Sequence, residues 1–287
     1  MAETVFVAAS SADNSTGTAK LGTARLLFRS AEQMGLTPVW ITPLSVFAIT
    51  IDGQERYINQ ARSPFNSDAS AALAKNKYAT RCVLERHAMP NIPFTLPRTL
   101  AEAEAFLSQQ GTIIAKPVDG SGARDIHIVT APAQLAQLQI KQYILEKYIA
   151  GKELRFLLLN DDVIGVHRSE YGDSVAEDRP LQRISYPQSD WDPALVTLSQ
   201  RIAHVLNLTF LAVDYLVDAT GHVYILEVNT MPGLKWFHAP SSGPVVDVAY
   251  LFLKAIVDAT RATQQPVHQS VVVGAEPSFS ELIGAVL

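Results

Sequence analysis

In the run Val223-Tyr224-Ile225-Leu226-Glu227-Val228-Asn229 a carboxylate interrupts an otherwise apolar strand. Strand side chains alternate, so Glu227 and Asn229 share one face while Leu226 and Val228 share the other. Asp214 lies in Leu211-Ala212-Val213-Asp214-Tyr215-Leu216-Val217, the partner strand of a predicted hairpin that turns at Ala219-Thr220-Gly221. A buried, unpaired carboxylate costs several kcal/mol, so these groups need a cation, a proton or a basic partner. Two carboxylates and an amide oxygen, with no His or Cys, suit a hard divalent ion such as Mg²⁺. The plain alternative is a solvated hairpin face that carries an Asp and a Glu incidentally.

Two further segments depart from local rules. Ile113-Ile114-Ala115-Lys116-Pro117 ends an apolar strand in a lysine, and Val118-Asp119-Gly120-Ser121-Gly122 follows as a small-residue loop. An ammonium and several backbone N–H groups can surround phosphate oxygens there. The eight-residue phosphate-loop pattern with its following helix is absent, and a solvated strand-edge lysine is the competing reading. In Tyr143-Ile144-Leu145-Glu146-Lys147-Tyr148-Ile149-Ala150-Gly151-Lys152-Glu153, two acids bracket an apolar hinge. Such a crossing can offer backbone groups to a purine edge and a carboxylate to ribose hydroxyls; an ordinary connector is the bland alternative.

These residues need elements to hold them. The spacing predicts a helix over 21–34 closed by Gly35, a hairpin over 46–58 at Asp52-Gly53, and one helix over 72–89. Thr99 and Glu102 form a capping box for a helix ended by Gly111. Strands follow over 112–117, 125–130, 143–148 and 154–168, the last turning at Asn160-Asp161-Asp162. Asp192-Pro193 opens a helix to about Asn207, and a final helix spans 247–262. Thr4 to Ala9 reads as a strand, so the first seventy residues suggest a β-α-β unit. The length of 287 residues predicts about two domains. Twenty-eight acids against 23 bases, a net charge of -5, argue against wrapping nucleic acid or coating an anionic membrane. Cys82 is the one cysteine, which excludes a disulfide framework. The histidines show no zinc-ligand spacing. With no signal-like start and no spanning stretch, a cytoplasmic protein is expected.

Taken in order, the segments resemble the ATP-grasp superfamily of carboxylate–amine ligases, over roughly Asn76 to Phe237. The match comprises Asn76-Lys77-Tyr78-Ala79-Thr80, Ala115-Lys116-Pro117, Glu146-Lys147-Tyr148-Ile149 with Glu153, Ala212-Val213-Asp214, and Leu226-Glu227-Val228-Asn229-Thr230-Met231-Pro232-Gly233. The resemblance implies an α+β fold in which two lobes grip ATP, preceded by a small α/β domain. It implies boundaries at 1–72 for that domain, 73–145 for the small lobe, 146–265 for the C-terminal lobe, and a tail of unknown role at 266–287. It implies Lys77 and Lys116 on the phosphates, with Gly120, Ser121 and Gly122 in a closing loop. Glu146 would meet the adenine amino group, the Lys147, Tyr148 and Ile149 backbone the ring, and Glu153 the ribose. Asp214, Glu227 and Asn229 would hold two Mg²⁺ ions, with Mn²⁺ as an alternative. Arg168 and the Gly233 N–H would stabilise the oxyanion, while Arg155 and Lys235 are substrate candidates. The implied activity is an ADP-forming ligation, through an acylphosphate, of an amino acid or small peptide. A regulatory ATP-binding module or a phosphotransferase on the same scaffold is the alternative, and a homo-oligomer is expected.

Two departures from the family pattern matter, the second of them for the branch. Ala123-Arg124-Asp125 stand where the phosphate loop is usually small, so Arg124 is itself a candidate ligand contact. D-alanine–D-alanine ligases typically carry an arginine where this chain has Ala212, and a serine where it runs Leu234-Lys235-Trp236-Phe237. Both favour the glutathione synthetase, ribosomal-protein glutamate ligase and cyanophycin synthetase branch.

Overall fold

The computed structural model describes residues 22–119, 125–171 and 182–263. The expected strand at 4–9, Gly120, Ser121, Gly122, Arg124 and the 266–287 tail lie outside these residues. Helix α1 (Thr23–Gln33) precedes an antiparallel sheet of β1 (Val39–Thr42), β2 (Val46–Ile51) and β3 (Gln54–Asn59). The β2–β3 turn uses Asp52 at φ 48° and Gly53 at φ 82°. That left-handed pair matches the twist of the flanking strands.

Two helices, α2 (Asp68–Lys75) and α3 (Lys77–Arg86), stand where the periodicity predicts one. The break is Asn76, whose extended backbone lets its side chain accept the Ala79 N–H at 2.8 Å. This N-cap starts a new helix in a new direction and places Lys77 on its first turn.

A four-stranded sheet in the order β4-β7-β5-β6 follows, from β4 (Phe94–Thr95), β5 (Ile113–Pro117), β6 (His127–Val129) and β7 (Tyr143–Lys147). Its covered face packs Ile113, Ala115 and Leu145 against Ala103, Phe106 and Leu107 of α4 (Leu100–Gln110). By alternation Ile114, Lys116, Ile144 and Glu146 point the other way. A short α5 (Pro132–Leu135) closes the edge.

The second sheet has the order β10-β9-β8-β11-β12, from β8 (Lys152–Leu159), β9 (Asp162–Glu170), β10 (Gln182–Tyr186), β11 (Phe210–Val217) and β12 (Val223–Asn229). One face, with Phe156, Leu158, Val166, Val213 and Tyr215, packs on α6 (Pro193–Leu206). The other carries Leu157, Leu159, Phe210 and Ala212 into a core shared with α1, β2 and α8 (Val248–Ala262), beyond α7 (Lys235–His238).

The packing redraws the boundaries expected from sequence. Leu26, Leu27, Phe47 and Ile49 share one core with Phe252 and Ile256, so the described residues before 72 pack into the same interior as α8. Ala74, Leu84 and Met89 pack with Trp191 and Leu195, placing α2 and α3 on the C-terminal sheet rather than in the small lobe. The 145/146 boundary cuts β7, which runs to Lys147.

Candidate functional site

A cleft between the two sheets is lined by Lys77, Thr80 and Arg81 from α3, Lys116 and Glu146 from the small sheet, and Leu226 to Val228 from β12. Lys77 reaches it because the first turn of α3 is pinned by its N-cap and by the Lys77 N–H donated to the Val118 carbonyl at 3.0 Å. Burial lowers the Lys77 pKa, against the pull of Glu227. Lys116 sits on the open face of β5, where its Nζ lies 2.6 Å from one Glu146 oxygen.

The other Glu146 oxygen takes Arg81 Nε at 2.7 Å. Glu146 is 1% exposed, and both its oxygens are bound within the protein. Burial alone would raise its pKa; Arg81 and Lys116 outweigh that and hold it at about 2. In this geometry Glu146 fixes two cations, whereas the resemblance gives it the adenine amino group. Arg81 was not singled out by sequence. It also donates to the Asn91 side chain and to the Ile225 and Leu226 carbonyls, tying α3 to both sheets. The available signal was its place one helical turn after Lys77, on the same face.

On β11 and β12, Asp214 and Glu227 are directly opposite, and Asn229 is opposite the buried Ala212. Like charges facing across a ladder destabilise it. Arg155, opposite Asp214 on β8, answers this with a fork at 2.6 and 2.7 Å to the two carboxylate oxygens. Crowding in the cleft and the neighbouring Asp214 raise the Glu227 pKa, an effect muted by the solvent its carboxylate still reaches. The set of Asp214, Glu227 and the Asn229 amide is all oxygen, as Mg²⁺ prefers. Each Asp214 oxygen keeps a second lone pair beside Arg155. The Asn229 oxygen accepts the Met231 N–H at 2.9 Å and keeps another. Among the described residues no three acids, histidines or cysteines gather as a metal cage. Two carboxylates and an amide oxygen suit Mg²⁺, an ion commonly held by one or two carboxylates together with phosphate oxygens.

The structure disperses other candidates. Arg168 is opposite Leu154 and Ile184, on the α6 side of the sheet and away from Asp214. It pairs with Glu170 there, so the expected oxyanion role has no geometric basis. The spacing missed this because one register step moves a side chain to the opposite face. Glu153 lies on the Asp214 face and accepts from Ser169 and Tyr171. The hinge at Lys147, Tyr148 and Ile149 borders the cleft's small sheet, with Tyr148 exposed. Its passage needs Gly151, where a Cβ would stand 2.7 Å from the Val217 carbonyl oxygen. Gly233 is exposed after β12, and Lys235 Nζ rests 4.6 Å from the centre of the Trp236 ring. Arg155 serves Asp214 rather than standing free for a substrate.

Two sheets closing on lysines and opposed acids define a nucleotide-gripping α+β protein, and an ATP-grasp domain model matches residues 74–233. The chain belongs to the ATP-grasp family. It is 28% identical over 197 residues to a D-alanine–D-alanine ligase of Treponema pallidum, covering 57% of this chain and 48% of that protein. A D-alanine–D-alanine ligase of Marinobacter nauticus is 28% identical over 195 residues, covering 62% and 60%. The chain thus spans about half to three-fifths of the length of these curated relatives. Among solved structures, a bifunctional glutathione synthetase from Pasteurella multocida superposes with a TM-score of 0.61 at 14% identity, over 85% of this chain and 45% of that one. The ATP-grasp ligase PsnB, complexed with a minimal precursor, Mg and ADP, gives 0.55 at 19%, over 69% and 62%. The macrocyclase MdnC from Microcystis aeruginosa, bound with its precursor peptide, gives 0.60 at 12%, over 82% and 96%. These likenesses establish the fold. No described helix is long and apolar enough to cross a membrane.

Proposed function

We propose that the protein is an ATP-dependent, ADP-forming ligase that joins a carboxylate to an amine, with amino acids or short peptides as substrates. The observation that carries this is the convergence of Lys77, Lys116 and Glu227 at one cleft between two sheets, with Asp214 opposite Glu227 and Asn229 on the same strand face. Lys116, held by Glu146, and Lys77 bind phosphate oxygens as point charges. Adenine lies along the 147–149 backbone, with Leu226 across the cleft and Glu153 toward the ribose. Asp214, Glu227 and Asn229 hold Mg²⁺. Bound there, Mg²⁺ would supply positive charge to the phosphates as the γ-phosphoryl group is transferred. Transfer of that group to a substrate carboxylate makes an acylphosphate, and attack by an amine releases phosphate. The Gly233 N–H is a donor for the developing oxyanion.

The D-alanine–D-alanine ligase relatives and the peptide-ligase fold neighbours support amide-bond formation. Ala212, buried without charge before Asp214, favours a substrate other than D-alanine. The test incubates the protein with ATP, Mg²⁺ and panels of acids and amines, follows phosphate release, and identifies products by mass spectrometry. Phosphate released only with an acid–amine pair, and lost in Glu227→Ala, is the expected result. A protein that binds no nucleotide, or a Glu227→Ala variant equal to the parent, refutes the reading.

A further inference from the structure

The acid-bearing face of the larger sheet continues onto β9 and β10 with polarity that the nucleotide site does not use. His167 and Ser185 are cross-strand neighbours, 0% and 3% exposed. Arg183, two residues before Ser185, shares their face. Its Nη1 lies 3.4 Å from His167 Nε2. A guanidinium only donates, so Nε2 accepts and the imidazole proton sits on Nδ1. Arg183 Nε, Ser185 Oγ and His167 Nδ1 are all buried without a hydrogen-bond partner among the described residues.

The backbone beneath these groups is firmly built. The Arg183 N–H donates to Ser241 Oγ at 3.0 Å, and its carbonyl accepts the Ser241 N–H at 2.8 Å. The Ser185 N–H donates to the Ser242 carbonyl at 2.9 Å. The Trp236 ring lies 5.4 Å below the Arg183 guanidinium carbon, with Lys235 on the same indole. Among the described residues neither cation makes a direct ion pair; Glu153 and Asp214 act on Arg183 only from a distance, and a half-buried guanidinium with an orphaned donor calls for a closer anion.

We infer that Arg183, seated on Trp236 and positioned by His167, anchors a non-reacting carboxylate of the amino-acid or peptide substrate. β10 lies three strands from β11, about 14 Å at roughly 4.8 Å per strand. A substrate reaching across that distance, over the intervening Arg155 and His167, would be an amino acid or a dipeptide with its reacting group at Asp214 and Glu227 and its free carboxylate at Arg183. The planar guanidinium binds the anion through two parallel N–H donors, which a lysine cannot copy. The shared chemistry is a free carboxylate, on either the acyl donor or the amine acceptor, and the inference rests on the ligase reading for that substrate class.

The experiment labels the protein with [¹⁵N]arginine and assigns the Arg183 Nε–H resonance by its loss in Arg183→Lys. With Mg²⁺ and a non-hydrolysable ATP analogue present, each proteinogenic L-amino acid, D-alanine and a set of alanyl and glutamyl dipeptides is titrated beside its C-terminal amide. At least one free acid shifts the Arg183 signal and its amide does not, and Arg183→Lys weakens that acid's binding about 10- to 100-fold. Repeating phosphate-release assays with that acid as donor or as acceptor tells which substrate the anchor holds. Nucleotide binding with no shift by any acid, or equal shifts by acid and amide, overturns the anchor while the ligase reading stands. An acid that shifts Arg183 in a protein unable to bind nucleotide supports the anchor and overturns the ligase reading instead.

Discussion

Replacing Glu146 with Gln tests whether this carboxylate is the keystone of the cleft's charges. Gln copies the shape of a protonated Glu and leaves Arg81 and Lys116 without their shared anion. The folded carboxyl is held at about 2, against an ordinary value of 4.5. That difference corresponds to about 3 kcal/mol at neutral pH. Breaking a buried ion pair by removing one partner typically costs about 3–5 kcal/mol, which agrees. Because the folded pKa is depressed, this stability is full above the unfolded value and is lost as pH falls toward the folded one. Linkage then leaves about 1 kcal/mol at pH 3. Urea unfolding of the parent and Glu146→Gln at pH 7 and near pH 3, followed by tryptophan fluorescence, measures the gap directly. The expected gap shrinks from about 3 to between 1 and 2 kcal/mol. A gap under about 1 kcal/mol at pH 7, or one that does not change with pH, refutes the keystone role.

Arg155→Met leaves Asp214 buried without its fork and destabilises the protein by about 3 kcal/mol; Mg²⁺ raises the variant's melting temperature more than the parent's, and EDTA abolishes the difference. His167 is kept neutral by burial and by the nearby Arg155 and Arg183, its pKa well below the usual 6.5. The unfolded chain takes up that proton first, so stability falls as pH drops below about 6.5, and His167→Phe flattens that part of a melting-temperature profile. Gly243 has φ 88°, and a Cβ there would stand 1.9 Å from the Ser185 carbonyl oxygen. Gly243→Ala costs about 2 kcal/mol or more in chemical denaturation and weakens the anchoring of β10.

What the sequence made legible was whatever is encoded locally. The turn at Asp52-Gly53, the Thr99 cap, the left-handed Asn207 closing α6 and the Asp192-Pro193 start all stand where local chemistry places them. That Glu227 and Asn229 share one face was legible too, because they obey the two-residue alternation of a strand. Non-local facts were hidden. The break at Asn76 depends on one side chain choosing the Ala79 N–H over continuing the helix. The face of Arg168 depends on the pairing register of β9 with β8 and β10. Arg81 looks like any surface arginine on α3 until the carbonyls of β12 and the carboxylate of β7 arrive around it.

The charge of the cleft follows from the same long-range assembly. A carboxylate pair such as Asp214 and Glu227 requires a cation, and Ala212, sealed among Leu157, Phe210 and Phe237, cannot supply one. The fold takes it from the next strand, where register sets Arg155 against Asp214. Lys77, Arg81, Lys116 and Arg155 are thus gathered beside Glu146, Asp214 and Glu227, with Asp119 and Glu153 acting on Lys77 and Arg155 from nearby. At close range these fixed charges outweigh a small net charge spread over a screened surface. A mildly acidic protein can thereby still offer Lys77 and Lys116 to a polyanion in the cleft. Because Glu146 holds two of those cations, the carboxylates proposed to hold Mg²⁺, Asp214 and Glu227, are the ones on the hairpin that also carries Asn229.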